Sequence, residues 1–119
     1  MNITAIGLVT DHKHLDTGRV YPRPLVEQAL RQITFPLYGG LLPNEDEKVV
    51  VWSEAVLNDD GEVILRGQVV EEVLQNGIGV ALRGIGTVNN NGIVTELIIE
   101  GFDFTMTPSN PACVVLSLE

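Results

Sequence analysis

A chain of 119 residues fits one domain, and at that size it buries most of the apolar surface an unfolded chain would expose, so residues 1–119 are read as a single domain. A formal net charge of -9 argues against a direct nucleic-acid partner, because that binding depends on Lys and Arg neutralising phosphates. No apolar run approaches the ~18–20 residues that span a bilayer, and Met1–Thr4 carries no basic segment of the secretory kind, so a soluble chain with no membrane partner is expected.

The composition favours strands. Hydrophobic residues make up 45% of the chain but aromatics only 5%, which leaves the core to Val, Ile and Leu. In chain order, Asn2 to Thr10 reads as a first strand, followed by a polar connection, Asp11 to Arg19, that closes on a glycine turn at Gly18. Pro22 and Pro24 then stiffen the backbone, and Leu25, Val26, Ala29, Leu30 and Ile33 recur at three- and four-residue spacing, which predicts one amphipathic helix ending before Phe35-Pro36. Gly39 to Glu47 reads as a loop with an acidic end.

From Lys48 onward strands dominate. Lys48–Leu57 and Glu62–Val70 flank Asn58-Asp59-Asp60-Gly61, whose Asp-Gly pair predicts an antiparallel hairpin with both turn positions tolerant of positive φ. Val70 to Leu74 allows about a turn of helix, and a glycine-punctuated strand then runs to Val88. A polar turn, Asn89 to Gly92, leads into Ile93–Met106; after Pro108-Ser109-Asn110-Pro111, Ala112–Leu118 closes the chain as a largely buried strand. The expected fold is therefore mainly β with one or two helices: a small antiparallel barrel or curled sheet of about six or seven strands, closed to protect its edges.

The stretch Asn76 to Thr87 is the most unusual. Gly77, Gly79, Gly84 and Gly86 interrupt an apolar strand, which points to a bulge, a bend or a close backbone approach, as an oxyanion site would need. Arg83, flanked by apolar residues and glycine, requires a carboxylate or carbonyl partner, and Asp103 or a loop acid is the candidate. The environment of Asp103 between Phe102 and Phe104 admits two readings, a buried carboxylate or an outward-facing strand residue.

Five local patterns, in this order, resemble the prohead maturation proteases of tailed bacteriophages, serine peptidases with a fold similar to the herpesvirus protease assemblin. They are Gly18-Arg19-Val20-Tyr21-Pro22, the helix from Leu25 to Ala29, Gly40-Leu41-Leu42-Pro43, Asn76-Gly77 through Arg83-Gly84-Ile85-Gly86, and Asp103 ahead of Pro108-Ser109-Asn110-Pro111. The resemblance covers roughly residues 18 to 115 and implies a prohead-protease-like fold. It also implies where the chemistry belongs: serines at the positions of Ala81 and Leu82, and a histidine immediately before Pro43, where Leu42 stands. A methyl and an isobutyl group cannot attack a carbonyl, and leucine cannot act as a base, so the chain reads as a pseudoprotease that keeps only Arg83, Gly84 and Asp103.

The function expected from the resemblance is that of a non-catalytic phage head protein, for example a decoration or lining subunit. It would bind the major capsid protein or the scaffold, form a homo-oligomer, and reside in the virion head and in the host cytoplasm during assembly. The alternative is an active peptidase with a displaced nucleophile, for which Ser53 with His12 or His14 is the available pair; Ser109, between two prolines, reads as a turn former. His12, His14 and Asp16 alternate and would share one face of an extended segment as metal ligands, but ordinary loop residues surround them, so no metal and no cofactor is expected. Glu45-Asp46-Glu47 with Asp59-Asp60 read as solvated surface, with an acidic face for a basic partner as the other reading. The single Cys113, in an apolar run, excludes an internal disulfide and reads as a buried small hydrophobe.

Overall fold

The computed structural model describes residues 1–14 and 17–119. In chain order the elements are β1 (Asn2–Val9), α1 (Arg23–Arg31), β2 (Leu37–Leu41), β3 (Asn44–Leu57), β4 (Glu62–Val69), β5 (Gly79–Val88), β6 (Val94–Thr105) and β7 (Val115–Leu118). All seven strands belong to one sheet in the order β5-β6-β2-β3-β4-β1-β7.

Local chemistry explains the hairpins. The β3–β4 and β5–β6 turns share one design, Asn-x-x-Gly. Asn58 Oδ1 accepts hydrogen bonds from the amides of Asp60 and Glu62, and Asn89 Oδ1 accepts from those of Asn91 and Ile93. The closing glycines, Gly61 and Gly92, both take φ of 80°, a conformation costly for any residue with a Cβ. Asp60 does not share the positive φ expected of it; the Asn58 side chain bridges the turn instead.

Helix α1 begins after Pro22 and carries Pro24 in its first turn, where a missing amide hydrogen is tolerated. Arg23 and Glu27 pair at 3.0 Å one turn apart, while Val26 and Ala29 turn inward against β6 and β3. The core beneath is built around Trp52, Phe102 and Phe104 with a shell of Val, Ile and Leu. Half of the sequence's six aromatics thus sit at the centre of a core that is otherwise aliphatic, while Phe35 is exposed.

Three expectations need correction. Gly39 to Glu47 is a strand, a two-residue turn at Leu42-Pro43 and a second strand, rather than a loop, so β3 begins at Asn44. Val70 to Leu74 forms bends without a helical turn. The sheet is mixed rather than antiparallel: β2 runs parallel to β6, with Tyr38 opposite Gly101 and Leu41 opposite Phe104. That pairing joins segments about sixty residues apart and leaves no local signal, whereas each antiparallel hairpin is announced by its turn.

The sheet curls until its two edges meet at one end. Val80 donates to the Cys113 carbonyl at 2.8 Å, Val115 to that of Ile78 at 2.9 Å, and Gly77 to that of Val115 at 2.9 Å. This contact satisfies backbone groups at the start of β5 and just ahead of β7 that an open edge would leave to solvent. It also brings the turn at Pro108–Pro111 over the start of the glycine strand. A side-chain carbon on Gly79 would meet Pro108 at 2.7 Å.

Candidate functional site

Arg83 has the partner its sequence context demands. Its Nε donates to Asp103 Oδ2 at 2.9 Å and its Nη2 to the Tyr38 carbonyl at 3.3 Å. In the β5–β6 register Arg83 lies opposite Gly101, with Asp103 opposite Ala81, so the guanidinium crosses Gly101 to reach the acid. A methyl group on Gly101 would collide with that guanidinium and with the Tyr38 carbonyl. The second carboxylate oxygen, Asp103 Oδ1, accepts the amide of Gly40 at 3.0 Å, at a register break in β2. Asp103 is 2% exposed, which decides between the two readings of its position in favour of the buried one. Phe102 and Phe104 are fully buried on the other face of the strand, where Trp52 Nε1 donates to the Phe102 carbonyl at 3.0 Å.

A separate cavity of about 220 Å³ has walls that include Leu42, Ala81, Leu82, His14, Ser109 and Cys113, and neither Arg83 nor Asp103 lines it. The turn at Leu42-Pro43 is held to β6 by the Leu42 amide, which donates to the Phe104 carbonyl at 2.8 Å. The two positions at which the sequence resemblance expects a histidine and a serine therefore face one space, and both carry hydrocarbon.

No protein-family model, curated protein or solved structure matches this chain.

The other candidates separate. Ser53 is exposed on β3, at a register shift, and its hydroxyl donates to the Arg66 carbonyl at 3.2 Å; no hydrogen bond joins it to His12 or His14. His12 is exposed. Asp16, the third member of the alternating His12-His14-Asp16 set, lies outside the described residues, and among the described residues no three His, Cys, Asp or Glu side chains converge as metal ligands. Asp46 and Glu47 are exposed at the start of β3, while Asp59 and Asp60 are exposed beyond its other end, so the length of the strand separates the two groups.

His14 is buried, 5% exposed, and meets a residue that sequence spacing does not connect with it. Its Nδ1 lies 3.1 Å from Ser109 Oγ, its Nε2 lies 3.4 Å from the Val9 carbonyl, and its ring packs at 5.1 Å between centroids on Tyr21. Backbone hydrogen bonds from His14 N to the Arg19 carbonyl and from Gly18 N to the His14 carbonyl hold the loop that carries it. Ser109 is held by a turn in which Asn110 accepts the amides of Ala112 and Cys113. Burial keeps the His14 pKa below its usual 6.5, against the opposing effect of the hydrogen bond to Val9. Burial, assisted by the charge of Glu62, pushes the Cys113 thiol up to about 11, which makes it a poor nucleophile.

Leu42, Gly101 and Ser109 are the site residues with the weakest sequence signal. Leu42 looks like part of an apolar run, and Gly101 like one more strand glycine. Ser109 is 95 residues from the imidazole it touches.

Proposed function

We propose that this chain is a bacteriophage head protein of prohead-protease-like fold in which the family's peptidase machinery has been lost and binding remains. The observation that carries the reading is the cavity wall. Leu42 and Ala81 line one cavity at the positions where the resemblance expects histidine and serine, and the Arg83–Asp103 pair, which does not line that cavity, is intact. A chain that keeps the structural ion pair and lacks a nucleophile and a base at the positions the resemblance expects fits a fold retained as a scaffold. Loss of both nucleophile and base leaves at most the ~10³–10⁴-fold over water that binding and an oxyanion site supply.

The surface that fits such a role is the β5–β6 hairpin beyond Arg83. Ile85 and Ile98 face each other across the two strands and are 62% and 58% exposed, and Val88 and Ile93 extend the apolar surface toward the turn. An outer strand bearing exposed branched side chains is suited to contact with a repeating lattice, where many weak copies of one interface add up. The partner is the major capsid protein or the scaffold of the same phage, and a homo-oligomer is part of the proposal.

The test is co-sedimentation of the purified chain with assembled capsid protein and with scaffold, alongside gel analysis of both for cleavage. Binding without cleavage is the expected result, weakened by Ile85→Asp. Absence of binding to either protein rejects the proposal, and so does proteolysis that depends on this chain.

A further inference from the structure

The cavity that lacks a reactive group at Ala81 holds one on its opposite wall. We infer that Ser109 and His14 form a nucleophile–base pair that accepts short acyl groups from activated esters. The head-binding proposal does not support this inference and is not needed for it, because the pair lies in the cavity and not on the β5–β6 hairpin.

The tautomer follows from the neighbours. The Val9 carbonyl can only accept, so the ring proton sits on Nε2, and the unprotonated Nδ1 faces Ser109 Oγ at 3.1 Å as an acceptor. A neutral imidazole oriented through one nitrogen and hydrogen-bonded to a hydroxyl through the other is the arrangement that general-base activation of a serine requires. Burial favours this neutral form at physiological pH. His14 is 5% exposed and packs on Tyr21, and Ser109 precedes the turn in which Asn110 accepts the amides of Ala112 and Cys113.

The substrate class follows from what surrounds the pair. A carbonyl stands where a serine hydrolase has a carboxylate; it orients the ring but carries no full negative charge, so the imidazolium formed on proton transfer is less well stabilised. Peptide bonds are therefore out of reach, and esters with good leaving groups are not. The walls combine apolar Leu8, Leu42, Val80 and Leu82 with polar Arg19, Thr105 and Thr107, and a volume of about 220 Å³ limits the acyl group to a short chain.

The step balances as follows. Ser109 Oγ attacks the acyl carbon while its proton passes to His14 Nδ1; the C–O bond to the leaving group breaks and the proton departs with the alcohol. Water then attacks acyl-Ser109 with His14 again taking the proton, and the carboxylic acid and free serine are released.

The intact chain treated with a fluorophosphonate tests this directly, since the same attack forms an Oγ–P bond and expels fluoride. Mass spectrometry of the wild-type adduct should place one label on Ser109, and p-nitrophenyl butyrate should give a burst of one equivalent of nitrophenolate. Ser109→Ala should abolish both, His14→Gln should slow labelling at least about 10²-fold, and Ser53→Ala should change neither. No adduct on wild-type protein, an adduct on Ser53 or Ser117, or a labelling rate unchanged in His14→Gln would overturn the inference. Because the wild-type map alone locates the label, a variant that fails to fold does not blur the answer. Capsid binding should survive Ser109→Ala, which separates failure of this inference from failure of the head-protein reading.

Discussion

Arg83 on β5 reaches across Gly101 on β6 to Asp103, and together the two side chains tie three strands into one polar knot. The acid receives the Arg83 Nε at 2.9 Å and the Gly40 amide at 3.0 Å, while the guanidinium also meets the Tyr38 carbonyl at 3.3 Å. It joins β6 to β2, which run parallel, so it reinforces a junction that has no turn to direct it.

Removing one partner leaves the other stranded. Asp103 is 2% exposed, so Arg83→Met is expected to destabilise the fold by about 2–3 kcal/mol, toward the low end for a broken buried pair because the arginine is a third exposed. Replacing both, as Arg83→Met with Asp103→Leu, should cost less than the sum of the single changes, although the Gly40 amide then loses its acceptor. Urea denaturation of the four proteins in a double-mutant cycle measures this. Additive losses would mean that the pair is not coupled.

The glycine beneath the guanidinium is equally constrained. Gly101→Ala places a methyl group against both Arg83 and the Tyr38 carbonyl and should cost about 1–3 kcal/mol by overpacking. Combining it with Arg83→Met should recover part of the loss, readable as a thermal midpoint above that of Gly101→Ala alone.

Cys113 is expected to be inert while the chain is folded. Burial and the nearby Glu62 raise its thiol to about 11, so almost no thiolate exists at pH 8. Iodoacetamide at that pH should leave native protein unmodified over hours and should alkylate it fully in denaturant. Stoichiometric labelling under native conditions would contradict this environment.

His14 makes stability depend on pH. Its folded pKa lies below the unfolded value of 6.5, so between the two the unfolded chain binds more protons. Stability is therefore complete above about 6.5 and falls as pH drops from there through the folded pKa. Urea midpoints measured across this window should decline on acidification, and His14→Gln should flatten the decline. An equal slope in both proteins would assign it to other groups.

Legibility in the sequence varied with the range of the interaction. The strand β1, helix α1 and both Asn-x-x-Gly hairpins follow from nearest-neighbour chemistry, a period or a turn residue, and the need of Arg83 for a partner follows from a charge among apolar residues that must be matched. β2 was hidden because Gly39-Gly40 and Pro43 carry loop chemistry. Gly39 is in a strand because it lies against the Phe102 carbonyl and the Trp52 indole, leaving no room for a side chain.

The sequence by itself determined the local units, the aliphatic core, the buried cysteine and the need for an acid near Arg83, since each depends on residues within one turn or one hairpin or on a requirement that a residue type carries with it. The tertiary structure alone decided that β2 runs parallel to β6, that the sheet edges meet between Val80 and Cys113, and that His14 faces Ser109. Those three relationships close loops of tens of residues, and their free energy comes from burial and from backbone groups that must be satisfied somewhere. No local spacing encodes where that somewhere is.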